Sequence, residues 1–157
     1  MGKNFDYREF EKLLANFKEV QKSHDQFIRS FLTEMGMRAM AQTKKLTPVG
    51  NTGNLRNNWE LSQVYRKGDE LYIVLFNPTE YASFIEDGHM QHSRWVPGVW
   101  RGDRFEYIPG AKTGMMLKEK WIPGHHMARI SINKVERELP ARYNRAFKEF
   151  IAGLGVV

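Results

Sequence analysis

The side chains with the clearest potential for chemistry are histidines and carboxylates near the middle of the chain. His89 and His92 stand three residues apart, just after Glu86 and Asp87, and two further histidines follow at 125–126. Imidazole and carboxylate groups can hold a divalent metal that activates water, so this cluster suggests a metal-dependent hydrolase. The sequence lacks HExxH, however, and adjacent histidines on a strand point to opposite faces. Surface or turn histidines are the favoured interpretation, and we expect no metal site.

Other signatures of catalysis are missing from the sequence. The chain has no cysteine, which excludes disulfides, zinc–thiolate sites and cysteine nucleophiles. None of its serines lies in a GxSxG motif. The segment VGNTGNLR, residues 49–56, fits neither GxGxxG nor GxxxxGK[ST], so its glycines predict a turn rather than a phosphate-binding loop. We therefore predict a protein that is not an enzyme, with no catalytic residues and no cofactor.

Composition and charge describe the molecule that carries these residues. The 157 residues are 41% hydrophobic and 27% charged, which is typical of one folded domain. No apolar run approaches the roughly 18 residues of a membrane span. The net charge is +6, and the excess lies at the ends, with 9 basic and 6 acidic residues in 1–45 and 6 and 3 in 126–157. Basic ends of this kind can attract a nucleic acid or an acidic protein surface, and the sequence does not choose between these two partners.

The two ends of the chain have the three- and four-residue apolar spacing of helices. Residues 1–45 fit two helices or one kinked helix, and Ser23 with Gln26 has the form of a capping box, which predicts a restart near His24. Residues 126–157 predict a C-terminal helix that Pro140 bends or splits.

The middle segment, residues 46–125, predicts β structure and turns. Residues 59–65 and 71–76 read as a hairpin around Gly68 and Asp69, although Val64 interrupts the alternation of the first strand. A helical turn stopped by Gly88 should follow, and then an excursion with strands near 95–100 and 104–108. We predict a single α+β domain, 1–157, with N-terminal helices and a C-terminal helix packed on a small antiparallel sheet that carries a long β/loop excursion.

Large apolar side chains are concentrated in that excursion. Some must belong to the core, but Trp, Tyr and Met are also enriched at the buried centres of protein interfaces. The segment RWVPGVWR, residues 94–101, interleaves aromatic and basic residues and could instead stack on nucleic-acid bases. The residues we assign to a subunit or partner interface are Trp95, Trp100, Phe105, Tyr107, Met115 and Met116.

Three segments of this sequence resemble a known family. They are LTPVGNTGNLRNNW (46–59), EYASFIEDGH (80–89) and KWIPGHHMARISINKVERELP (120–140), in the order in which the family has them. The family is that of the tail-component proteins of long-tailed bacteriophages and prophages, the small head–tail joining, neck or tail-completion proteins. The matching positions are Pro48, Thr52, Gly53, Leu55, Arg56, Tyr81, Ala82, Glu86, Gly88, Trp121, Gly124 and Met127.

The resemblance implies a structural protein of the virion rather than an enzyme. It implies an α+β subunit that forms a homo-oligomeric ring, contacts adjoining neck or tail proteins, allows passive contact with DNA in the channel, and does not involve a membrane. Its location would be the tail or neck of the virion, after assembly in the host bacterial cytoplasm. The excursion at 94–110 is longer than the resemblance leads us to expect. The alternative functions are a small basic nucleic-acid-binding protein and, less favoured, the metal-dependent hydrolase.

Overall fold

A computed structural model describes residues 7–50 and 52–154 as an α+β fold, which confirms the predicted class. The N-terminal segment forms one continuous helix, α1 (Tyr7–Leu46), of 40 residues. The predicted restart near His24 is therefore wrong. The polar stretch around it does not interrupt the apolar stripe, because the His24 ring packs against Phe147 and Phe150 at centroid distances of 6.5 and 6.3 Å.

The C-terminal helix spans Met127–Gly153 and packs lengthwise on α1. Pro140 lies inside this helix without splitting it, contrary to one of the two predicted outcomes. Aromatic contacts between the two helices supply packing on the C-terminal side of the proline. Phe27 stacks on Phe150 at 4.7 Å, and Phe31 meets Tyr143 edge-on at 5.5 Å. Aromatic pairs stabilise a fold by more than the area that they bury. The helix therefore tolerates the loss of the one hydrogen bond that proline removes.

The predicted hairpin is present, with its turn at residues 68–69. Far from the turn Leu61 pairs with Leu75, and near the turn Tyr65 pairs with Tyr72. Between these two pairs the first strand contains one residue more than the second strand. This is a β-bulge, and it explains why Val64 interrupts the alternation in the sequence. The strands are β1 (Glu60–Leu61), β2 (Tyr65–Lys67), β3 (Glu70–Tyr72) and β4 (Leu75–Phe76), and a short helix, α2 (Asn54–Asn57), precedes them.

The excursion predicted after Gly88 is a paired β-ribbon. It follows helix α3 (Ala82–Asp87), the predicted helical turn, and returns to the C-terminal helix, which we label α4. Gly88 pairs with Pro123 and Arg94 with Leu117, so the outgoing and returning strands keep one register along their length. We call residues 88–123 the β-arm. Its strands are β5 (Gly88–Gln91), β6 (Arg94–Arg101), β7 (Arg104–Tyr107), β8 (Gly114–Leu117) and β9 (Lys120–Pro123).

Within residues 7–50 and 52–154 the strands form four short antiparallel sheets, the largest with the order β7-β6-β8, in place of the one small sheet we expected. The buried core is correspondingly small: Phe31, Met35 and Ala39 of α1 are buried, and a cluster lies where α1, α2, α3 and α4 meet. Leu55, Trp59, Ala82 and Met127 form its centre. In the part of the chain that the structure describes, no helix is both long and apolar enough to cross a membrane.

Candidate subunit interface: the β-arm and its root

The root of the arm is fixed by Glu86, which caps a helix far along the sequence. Its two carboxylate oxygens accept hydrogen bonds from the backbone N–H groups of Ala128 and Arg129, both at 3.1 Å. These groups belong to the first turn of α4, whose donors have no partner within the helix, and His126 at the N-cap position supplies no side-chain bond. A carboxylate also suits the positive end of the helix dipole. Glu86 thus joins α3 to the start of α4.

Two glycines let the outgoing and returning chains touch at the root. A Cβ atom on Gly88 would lie 2.6 Å from the carbonyl oxygen of Ile122, and one on Gly124 would lie 2.3 Å from that of Glu86. Gly88 also has a φ of +86°. Backbone hydrogen bonds close the same junction, from His125 to Ile85 at 2.8 Å and from His126 to Glu86 at 3.0 Å. The junction therefore requires glycine at both positions.

The three sequence segments that suggested the family meet in the core behind this junction. Leu55 comes from the first segment, Ala82 from the second and Met127 from the third, and all three are buried together with Trp59. The Trp59 indole N–H donates to Thr47 Oγ1 at 2.9 Å, and an Arg56 N–H donates to the Thr47 carbonyl at 3.1 Å. These motif positions hold the fold together.

The other motif positions lie nearer the surface. Gly53 adopts the left-handed conformation, with φ +64°, just before α2, and Thr52 Oγ1 accepts from the backbone N–H of Asn54 at 3.3 Å. Both confirm a turn at this point. Three further motif residues are exposed, which distinguishes them from the core set: Pro48, Tyr81 and Trp121.

The register of the arm divides its side chains between two faces. Trp95 pairs with Met116, and the alternation of the strands brings Arg101 and Arg104 to the same side, which we call the Trp95 face. Continued through the gap between β8 and β9, the alternation also brings Lys118 and Lys120 to this side. The opposite side, the Trp100 face, carries mainly aromatic and aliphatic residues: Met90, Val96, Trp100, Phe105, Tyr107, Met115, Leu117 and Trp121.

Three aromatic rings of the arm each lie across a glycine on the neighbouring strand. A Cβ on Gly114 would lie 2.7 Å from the Trp95 ring, and one on Gly98 would lie 2.6 Å from the ring of Phe105. At the root, a Cβ on Gly88 would lie 2.9 Å from the ring of Trp121. Each ring covers strand backbone that has no side chain of its own, which stabilises glycine-containing strands. The three aromatic rings therefore have defined positions.

Most of the predicted interface residues are exposed on the arm. The exposed fractions are 53% for Trp95, 59% for Trp100, 61% for Tyr107 and 58% for Met116. The remaining two, Phe105 and Met115, are half-buried, and Phe105 packs edge-on against Trp100 at 5.3 Å. The structure thus brings all six into one ribbon, although Met115 and Met116 point to opposite faces.

The residues proposed for a metal do not converge. His89 Nδ1 lies 3.4 Å from the Phe84 carbonyl and its ring packs edge-on against that of Phe84. Alternation directs His92 to the other face of the ribbon. Glu86 is occupied by the backbone of α4. Among residues 7–50 and 52–154, no group of three His, Asp or Glu side chains could hold a metal ion.

Comparison with known proteins agrees with this structural pattern. Residues 11–88, about half of the chain, match the model of the family described as "Bacteriophage HK97-gp10, putative tail-component". The chain belongs to this family. The match begins in α1 and ends at Gly88, so it covers the helix, the hairpin and α3, whereas the arm follows it.

Relatives of this tail-component protein occur in Bacillus subtilis (strain 168). The phage-like element PBSX protein XkdI is 36% identical over 108 residues, which cover 67% of this chain and 64% of XkdI. The uncharacterized protein YqbI is 51% identical over 53 residues, 29% of this chain and 32% of YqbI. The matches thus span less than two thirds of these relatives. A beta-galactosidase of Arthrobacter sp. (strain B7) matches at 30% identity over only 7% of its length. No solved structure matches the chain significantly.

Sequence reasoning missed two features of the family fold in this chain. The buried network from Trp59 to Thr47 joins residues 12 apart, and no short motif indicates it. The role of Glu86 as a cap was also missed, because the helix that it caps begins 41 residues later. The glycines at 88, 98 and 114 did carry a signal, since an isolated glycine within a strand often marks a close approach.

Proposed function

We propose that this tail-component protein is a non-enzymatic structural subunit of the head–tail interface, where it joins the head to the tail or completes the tail. In this role it assembles as a homo-oligomeric ring and contacts adjoining neck or tail proteins. It would reside in the neck or tail of the virion, after assembly in the host bacterial cytoplasm. Family membership supports the virion role, and the relative XkdI is named as a protein of a phage-like element.

The observation that carries the proposal is the exposed aromatic surface of the β-arm. Trp95 and Met116 on one face of the ribbon, and Trp100 and Tyr107 on the other, are each more than half exposed, although they lie on paired strands. Large aromatic side chains that are exposed in a monomer are typical anchors of protein interfaces. A ring subunit requires surfaces of this type for its neighbours and requires no chemistry.

The experiment that tests the proposal is deletion of the gene from a phage or prophage that carries it. Negative-stain microscopy should then reveal heads and tails that are not joined, or tails with abnormal ends, and a gene supplied in trans should restore joined particles. Normal infectious particles without the protein would contradict the proposal.

Nucleic-acid binding is a second candidate, favoured by the basic residues of the Trp95 face. Arg104, Lys118 and Lys120 share that side of the ribbon with an exposed indole, a combination that can stack on bases and neutralise phosphates. The isolated protein should then shift labelled DNA, and affinity should fall steeply with salt. The structural role predicts no such shift by the monomer.

A further inference from the structure

We infer that the Trp95 face of the β-arm docks into the apolar groove between α1, α4 and the hairpin of a second copy of this chain. The inference rests on the proposed ring and specifies which two surfaces meet. A contact between two different surfaces of identical subunits is heterologous, and it produces a closed ring when the rotation between neighbours closes.

The groove lies on the side of the helix pair that faces the hairpin, and its volume is about 270 Å³. Its walls come from the two helices and the hairpin, with Leu32 and Ala39 on α1, Leu71 on β3 and Leu139 on α4. Ile132 and Leu139 on the α4 wall are 39% and 37% exposed, so the apolar wall continues to the surface. An open apolar channel of this kind would gain stability from a hydrophobic occupant.

Charge selects the Trp95 face as that occupant. Glu136 is the one charged residue in the wall of the groove, and it has no ion pair or hydrogen bond among the described residues. On the arm, Arg104, Lys118 and Lys120 likewise have no acidic partner in the described part of the chain, whereas Arg101 pairs with Glu106. The Trp95 face thus carries three unpaired positive charges. The Trp100 face is balanced, because Arg94 and Glu119 offset each other. Complementary charge favours docking of the basic face and opposes docking of two grooves.

The arm is also preorganised for insertion. The Trp95 ring is held over Gly114, opposite Met116, so the two side chains that would enter the groove already share one position on the ribbon. Anchors with a fixed conformation lose little entropy on binding, and a large aromatic side chain in a pocket is the usual form of an interface hot spot.

The cysteine-free sequence allows a direct test by cross-linking. One copy would carry Met116→Cys and a second, differently tagged copy would carry Leu139→Cys, so that a link can form only between copies. Arg137→Cys is the matched control, because a position two residues away lies about 200° around the same helix. Both copies would be supplied in trans to the phage or prophage lacking the gene, and joined particles would be treated with a short thiol-reactive cross-linker.

The inference predicts a mixed-tag dimer on denaturing gels with Leu139→Cys and its absence with Arg137→Cys. Protein present in the particles without the Leu139 cross-link, and without one at Leu71→Cys or Ile132→Cys, would overturn the docking while leaving the proposed function intact. Normal particles that lack the protein would overturn the proposed function itself.

A charge reversal gives a second, independent readout. Glu136→Lys or Lys118→Glu alone should each lower the yield of joined particles, and the two changes together should restore it, because the pair regains opposite signs. A double variant no better than the worse single variant would overturn the assigned contact.

Discussion

Glu86 caps the first turn of α4 by accepting the backbone N–H of Arg129 at 3.1 Å, and the two residues are 43 positions apart in the sequence. The neighbouring N–H of Ala128 binds the other carboxylate oxygen. The cap thus ties α3, which precedes the arm, to the helix that follows it. Arg129 also reaches Asp87 at 3.3 Å, but both side chains are exposed, so this pair contributes little.

We predict that Glu86→Ala lowers the free energy of unfolding by about 1–2 kcal/mol, because loss of a helix cap leaves donors of the first turn without a partner. Glu86→Gln, which keeps one acceptor oxygen, should lose less. Chemical denaturation followed by circular dichroism measures both. Glu80→Ala, at an exposed glutamate of the same segment, is the control and should be close to neutral. Equal losses at both positions would contradict the capping role.

A buried polar network leads to a second prediction. Trp59 N–H donates to Thr47 Oγ1, which donates to the Thr43 carbonyl at 2.7 Å, and all three residues are buried. Thr47→Val preserves shape but leaves the indole N–H buried and unpaired, so we expect a loss of about 1–3 kcal/mol in the free energy of unfolding. Thr43→Val should lower the free energy of unfolding by less. The Thr43 hydroxyl donates to the Ala39 carbonyl within the same helix, and its removal leaves no indole N–H unpaired.

The double variant Thr47→Val with Trp59→Phe separates the hydrogen bond from packing. If the bond matters, the two changes together should cost less than the sum of the single changes, because neither partner is then left unpaired. Strict additivity in the denaturation experiment would contradict the assigned bond.

The sequence predicted the elements whose signals are local. Three predicted features are present: the apolar stripe of α1, the turn at Gly68 and the helical turn before Gly88. The residues that specify each of them are close together in the sequence. The helix restart predicted from the capping-box pattern at Ser23 was wrong, because a local pattern cannot reveal that His24 packs on Phe147 of a distant helix. Packing over that distance overrides a cap signal.

The candidate interface was partly predictable. Aromatic residues in a segment rich in glycine and proline identified the arm residues, but their division into two faces follows from register. Trp95 pairs with Met116 across 20 residues that include β7 and a turn, and no short-range pattern fixes that pairing. The charge of the Trp95 face therefore became visible only with the strands in place.

The ion pairs of Asp25 lead to a prediction about pH. Its carboxylate accepts from Arg29 on α1 at 2.7 Å and also from Arg66 on the hairpin. The hydrogen bond from Arg29, and then the nearby positive charges, lower the pKa of Asp25. A carboxyl whose pKa is lower in the folded state stabilises the fold above its unfolded pKa of about 3.9, and loses this contribution as the pH falls through the folded pKa.

We therefore expect Asp25→Asn to be less stable than the parent protein at pH 7, and the difference to shrink as the pH falls below about 4. Because the carboxylate is exposed to solvent, the difference should be small and reduced by salt. Urea denaturation across this pH range measures it. A difference that stays constant with pH would contradict the role assigned to the carboxylate.

The last prediction concerns the arm. Trp100 is 59% exposed and its ring packs edge-on against Phe105, so Trp100→Ala should change the free energy of unfolding of the monomer by less than about 1 kcal/mol. Trp95 is 53% exposed, so Trp95→Ala should also have a small effect, although a larger one than Trp100→Ala because the Trp95 ring covers the backbone at Gly114. If these residues are anchors between subunits, each change should weaken assembly by about 2 kcal/mol or more, measured as the yield of joined particles and by sedimentation of the purified protein.

Trp59→Ala is the matched control, because removal of this buried tryptophan should lower the free energy of unfolding by about 3–5 kcal/mol before any effect on assembly can be seen. Equal losses of stability and assembly at Trp95 and Trp100 would mean that the arm aromatics stabilise the monomer and do not bind a neighbour.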